Sequence, residues 1–130
     1  MVFIRRKGMV IVESSKGILI VAGRRKKFTL PGGGAEKFES RKKAAIRELY
    51  EETNLRVKKI KYLFSNLGDI HYKRGRETRN NSKVFLATAY GNLRPKNEIK
   101  YIDFWKAGCK LDVAESTEGI IKKYLKEYRK

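Results

Sequence analysis

Glu48, Glu51 and Glu52 are spaced i, i+3 and i+4, so on a helix their carboxylates share one face. Like charges repel at that spacing. A hard divalent cation such as Mg2+ or Ca2+ relieves the repulsion, because it prefers carboxylate, carbonyl and water oxygens as ligands. The alternative is a solvated acidic face, the commoner fate of a charged run. The context favours the metal. Arg47 lies four residues before Glu51, within reach of a charge-assisted hydrogen bond. Upstream, Pro31 leads into Gly32, Gly33 and Gly34, which let the backbone approach a metal or a phosphate closely. Ala45, Ile46, Leu49 and Tyr50 form the opposite stripe, suited to packing on a sheet.

Five residues separate Gly33 from Glu39 and seven separate Glu39 from Arg47; Glu48, Leu49, Glu51, Glu52 and Leu55 follow. This pattern resembles the Nudix box, which asks for Gly, Glu, Arg-Glu-aliphatic, Glu-Glu, Gly and an aliphatic residue at these spacings. The one departure is Asn54 in place of the last glycine. Asn is the non-glycine residue that best tolerates the left-handed conformation ending a helix. The resemblance implies an α/β chain with the Nudix fold, an α/β/α sandwich around a mixed β-sheet. It implies metal ligation by Glu51 and Glu52 with Glu48 beside them and by the Gly32 carbonyl, with Glu39 and Arg47 as orienting partners. The cofactor is then Mg2+, with Mn2+ as a substitute. The reaction is attack of water on a diphosphate linkage in a nucleoside diphosphate derivative. Glu48 is the candidate base, and Glu98, where many relatives carry a later carboxylate, is the other; an exposed turn acid is the plain alternative for Glu98.

The 130 residues suit one domain, 1–130, with a single core. No apolar run approaches the roughly 20 residues of a membrane span, and MVFIRRKGMVIV is too broken by charge for a signal-peptide core. A cytoplasmic protein is expected. Cys109 is the only cysteine, which excludes an internal disulfide and a zinc cluster. Against 14 Asp plus Glu stand 32 Lys plus Arg, a net charge of +18 that concentrates any polyanion, nucleotide or RNA. The cations are scattered, with no ribonucleoprotein signature and no helix-turn-helix pattern.

The elements that must position the carboxylates follow from pattern. Met9 to Val12 and Ile18 to Val21 read as a hairpin. Ser40 is placed to cap the box helix, which should end near Asn54. Val57 to Leu67 and Ser82 to Tyr90 read as antiparallel strands, and Gly68 to Asn81, polar and basic, as a mobile loop rimming the site. Leu93 to Asn97 reads as a turn and Ile99 to Trp105 as an extended segment. Thr117 to Lys130 reads as a closing helix with Ile120, Ile121, Tyr124, Leu125 and Tyr128 on one stripe.

Substrate contacts are expected from three places. Arg24 opens a run of four cations just before the box, suited to the substrate's distal charge unless it is a solvated loop tip. Trp105, with Phe104, can stack on a base unless it belongs to the core. Tyr72 falls seventeen residues after Leu55, where the resemblance to hydrolases of diadenosine polyphosphates places a tyrosine. His71 is the only histidine, more naturally an exposed bystander than a proton carrier. A nucleotide-type small molecule is the expected partner, whether a nucleoside triphosphate, a dinucleoside polyphosphate or an ADP-ribose-like compound. An RNA 5' end and a homodimer stay open, a membrane does not. The competing classes are an RNA 5'-end pyrophosphohydrolase or decapping enzyme, favoured by the charge, and a non-catalytic nucleotide-binding module. The latter usually loses box glutamates, and none is lost here.

Overall fold

The computed structural model describes residues 1–129. Its strands are β1 (Phe3–Ile11), β2 (Glu13–Ser14), β3 (Gly17–Ala22), β4 (Gly32–Gly34), β5 (Arg56–Leu67), β6 (His71–Lys73), β7 (Arg76–Tyr90) and β8 (Tyr101–Trp105). The helices are α1 (Arg41–Thr53) and α2 (Glu115–Lys123), the second continued by a wider π-helical turn over Tyr124–Tyr128. One sheet has the order β4-β1-β7-β5, with β6 on β7; the other has the order β2-β3-β8. β1 runs parallel to β7 and antiparallel to β4, so the larger sheet is mixed.

Strand β1 explains the layering. Successive side chains point to opposite faces. Val10 joins Leu19, Leu49, Leu55 and Ala87 under α1, while Met9 and Ile11 join Ile20, Phe28, Val84, Ile120, Ile121 and Tyr124 under the C-terminal helix. Both faces are covered, and the run Met9 to Ile11 is accordingly apolar throughout. The helices thus lie on opposite sides of the sheets, as expected for an α/β/α sandwich. Close seating of α1 depends on Gly8, where a Cβ would collide with the Arg41 carbonyl. Leu49 is fully buried at the centre of that contact. Leu49→Ala is expected to lower the unfolding free energy by about 2–5 kcal/mol, as a urea denaturation curve would show.

Four expectations need correction. First, β1 begins at Phe3, because Phe3 to Gly8 pairs with Thr78 to Lys83 through the backbone whatever its side chains carry. Second, Met9 to Val12 and Ile18 to Val21 do not form a hairpin ladder. The chain changes sheets at Val12, and only the Leu19 N–H to Val12 carbonyl bond of 2.9 Å and the short β2–β3 pairing join them. Third, Gly68 to Asn81 is not a loop: β6 and the start of β7 form a hairpin through Arg74 and Gly75, both at positive φ (54° and 77°). Positive φ at both positions belongs to the turn whose twist matches paired strands. Fourth, the last helix starts at Glu115 and widens at its end; Lys130 lies outside the described residues. β5 and β7 pair antiparallel as expected, with register shifts at Val57/Lys59 and Tyr62/Phe64. Among the described residues no helix is long and apolar enough to cross a membrane.

Candidate active site

Helix α1 is held at both ends by the residues its sequence offers. The Ser40 hydroxyl accepts the Lys43 N–H at 3.0 Å, satisfying one of the free donors of the first turn. Asn54 ends the helix at φ 67°, its N–H on the Tyr50 carbonyl, and its side-chain amide donates to the Asn92 carbonyl at 2.9 Å. The family's glycine is replaced here without loss of the left-handed cap.

Arg47 is the hub of the helix's outer face. Its Nε and Nη2 donate to Glu39 at 2.9 and 3.0 Å as a two-pronged fork, and Nη2 also reaches the Gly34 carbonyl at 3.1 Å. Its Nη1 donates to Glu51 at 2.9 Å and stands 3.7 Å from Glu48. One guanidinium thereby ties the helix to the glycine loop and fixes two carboxylates. The bond to Arg47, with a second from the Glu36 N–H, holds the Glu39 carboxyl down at about 2.

Glu48 and Glu52 face inward. Glu52 accepts the Gly32 N–H at 3.1 Å, and Glu48 lies against Gly33, where a Cβ would collide with its carboxylate. Gly32 itself sits at φ 150°, a conformation L side chains rarely adopt. Burial pushes the Glu52 carboxyl up to about 8, with the nearby Glu48 and Glu51 charges adding and the Gly32 N–H opposing. Glu48 is also raised, by burial first and then by a hydrogen bond shared with Glu51.

In metal-free protein the raised Glu52 carboxyl makes stability depend on pH. Glu52 holds its proton longer folded than unfolded, so between the ordinary carboxylate value of 4.5 and about 8 the folded state binds more protons. Its contribution is full below that window and is lost as pH rises through it. In EDTA, the melting temperature should therefore fall from pH 5 to 8, this group contributing at most about 1.4 kcal/mol per pH unit. Glu52→Gln should flatten that slope, as differential scanning fluorimetry across the window would read.

Glu98 joins these groups. Glu48, Glu51, Glu52, Asn97, Glu98 and Ile99 line one cavity of about 470 Å3. The loop carrying Glu98 is pinned to the end of α1: the Asn97 amide donates to the Glu51 carbonyl at 2.8 Å, the Lys96 N–H to Glu52 at 3.2 Å and the Arg94 N–H to Thr53 at 3.1 Å. These bonds satisfy carbonyls that the helix leaves free. Among the described residues no three His, Cys, Asp or Glu side chains already converge as a closed metal centre. Each box carboxylate is instead engaged locally, Glu52 by the Gly32 N–H, Glu51 by Arg47, and Glu48 against Gly33 and 3.7 Å from Arg47. The donor set still fits a hard cation. Four carboxylates share a cavity, and burial raises two of them, Glu48 and Glu52, a penalty that a bound cation would offset.

The other expected residues are placed as follows. The Arg24 loop lines a hollow of its own with Gly23, Arg25 and Lys27 and shares no lining residue with the acidic cavity, although Gly23 lies against the Glu98 carbonyl. Within that loop Lys27 pairs with Asp112 at 3.5 Å. Trp105 is only 7% exposed and belongs to the core, paired with Ile18, so its ring is not presented to a base. Tyr72, on β6, is 75% exposed, and neither it nor His71 lines the acidic cavity. Sequence pattern does not mark three further polar positions. Asn97 clamps Glu51, and its positive φ of 55° is the kind of position Asn tolerates. Lys7 is half-buried on β1, its pKa lowered by burial and by Arg5 and Lys73 against the pull of Glu52 and Glu48. Asn80, opposite Arg5 in register, has a buried amide oxygen with no hydrogen-bond partner. The signal for Lys7 was its alternation with Met9 and Ile11, masked by the neighbouring cations.

Residues 3–122 match the NUDIX domain family, and the chain belongs to that family. It is a Nudix hydrolase, of the class that acts on nucleoside diphosphate derivatives. A Nudix hydrolase family member from Chromobacterium violaceum is 32% identical, with a TM-score of 0.77 over 94% of this chain and 77% of that one. The MutT protein of Bacillus halodurans is 24% identical, with a TM-score of 0.78 over 96% and 84%. An Ap4A hydrolase from C. elegans is 13% identical, with a TM-score of 0.69 over 93% and 95%, and shares the fold. Among curated proteins none has a sequence that matches this chain.

Proposed function

We propose that this chain is a Mg2+-dependent nucleotide pyrophosphohydrolase, with Mn2+ able to substitute. The carrying observation is the cavity shared by Glu48, Glu51, Glu52 and Glu98, on a helix that Arg47 and Glu52 tie to the glycine loop. Glu51, Glu52 and the Gly32 carbonyl would hold the metal, with Glu48 beside them. The bound metal would neutralise phosphate oxygens, acidify the attacking water and steady the leaving oxygen. Glu48, raised by burial, or Glu98, across the cavity, accepts the water's proton. Glu39 keeps Arg47 in place, and Arg47 keeps Glu51 from swinging outward. Arg24, exposed just after Gly23, would meet the substrate's distal charge. The test is hydrolysis of a nucleoside triphosphate, a dinucleoside polyphosphate and ADP-ribose with Mg2+; no turnover of any of them would overturn this reading.

The net charge of +18 favours a second reading, action on RNA 5' ends. Salt dependence separates the two. A site gripping a few phosphates gives a shallow fall of log affinity with log salt, whereas an RNA body adds about −0.7 per phosphate contacted. The shallow slope is expected for triphosphate-ended RNA bound to Glu51→Gln protein at fixed Mg2+. A steep slope, with affinity well above that of a free nucleotide, would move the assignment to RNA.

A further inference from the structure

The β6–β7 hairpin builds a second cavity, of about 420 Å3, lined by Phe3, Arg5, Ala35, Lys73, Arg74 and Arg76 with no acidic residue among its walls. Four cations around one hollow repel one another, and an anion is the natural occupant. Its geometry is built: the Arg5 guanidinium lies against Gly34, where a Cβ would come within 3.0 Å, and Arg76 lies over the Phe3 ring at 4.9 Å. The other two cations of this stretch are turned away. Arg79 donates to the Gly68 carbonyl at 2.6 Å, and Lys83 lies over Tyr62. Strand alternation thus sorts the basic residues, sending Lys73 and Arg76 to one face and Arg79 and Lys83 to the other.

The hollow adjoins the glycine loop that leads into the box, though it shares no lining residue with the acidic cavity. Ala35 directly follows the glycine loop, whose Gly34 carbonyl is held by Arg47 at 3.1 Å. Lys7, two residues along β1 from Arg5 and opposite Gly34, carries the positive stripe toward Glu48 and Glu52. We propose that this hollow is an anion subsite that takes the phosphate chain of the substrate beyond the scissile diphosphate, selecting extended polyphosphates over compounds with two phosphates. The word substrate rests on the hydrolase reading; the anion site itself does not.

Binding in EDTA therefore tests it without turnover. The probes are inorganic tripolyphosphate, a dinucleoside tetraphosphate and ADP-ribose, titrated by calorimetry into the wild type, Lys73→Gln/Arg76→Gln, and Lys42→Gln/Lys126→Gln. The two variants have equal net charge, so the second controls for the overall field, and all four positions are exposed enough to leave the fold intact. The hairpin variant should bind tripolyphosphate and the dinucleoside tetraphosphate about tenfold more weakly, with ADP-ribose unchanged and the control near wild type. Equal weakening in both variants, or none, would overturn the site. Loss confined to tripolyphosphate would overturn the substrate role and leave a site for a free anion.

Discussion

Glu52→Gln should lower kcat by about a thousandfold or more while the protein stays folded. The substitution keeps the shape and the acceptor for the Gly32 N–H, yet takes from the cavity a carboxyl that can ionise against a cation. A metal held by fewer charges binds more weakly and polarises less. At about 1.4 kcal/mol per tenfold, the loss corresponds to about 4 kcal/mol of transition-state stabilisation. The neutral amide also relieves the penalty of a buried carboxylate, so the metal-free variant should melt at or above the wild type near pH 8. Falling activity with unchanged or raised stability is the signature of a ligand. Parallel loss of both, in circular dichroism melts and initial rates, would assign Glu52 to the fold instead.

Arg47→Lys is expected to reduce kcat about 10–100-fold, the usual effect of losing a partner that orients a metal ligand. Lysine keeps the charge but cannot span Glu39, Glu51 and the Gly34 carbonyl at once, since its single ammonium lacks the planar fork. Glu51, 44% exposed at its side chain, would then be free to swing into solvent. The Glu39 carboxyl should also rise from about 2, because its first stabilising bond is the one to Arg47. In the wild type that low value contributes stability present above the ordinary carboxylate range and lost as pH falls toward 2. Acid unfolding of Arg47→Lys should accordingly begin at higher pH. Kinetics matching the wild type would show that the hub is a surface ion network and nothing more.

The box helix was readable because its signals are local. Ser40 caps Lys43, Arg47 bonds Glu51 one turn on, and Asn54 ends the helix on Tyr50, each doing in space what its type and spacing suggest. Glu98 was readable as a candidate, while its placement depends on Asn97 and Lys96 bonding a helix forty-odd residues earlier. The β6–β7 hairpin was not readable. Its side chains are polar on both faces, so no alternation marks it, and Arg74-Gly75 is a weak turn signal beside Asn-Gly. The ladder to β1 supplies what the side chains do not advertise. Trp105 misled for the reverse reason, since an aromatic near a nucleotide site and an aromatic in a core look alike until the strand's facing is known.

A divalent cation among Glu48, Glu51, Glu52 and Glu98 is what the proposed chemistry most requires, and Mn2+ binding measured by electron paramagnetic resonance tests it without any choice of substrate. Wild-type protein should bind Mn2+ saturably, Mg2+ should compete it away, and Glu52→Gln should weaken binding at least about tenfold. Saturable binding equally strong in Glu52→Gln, or no binding by the wild type at all, would contradict it.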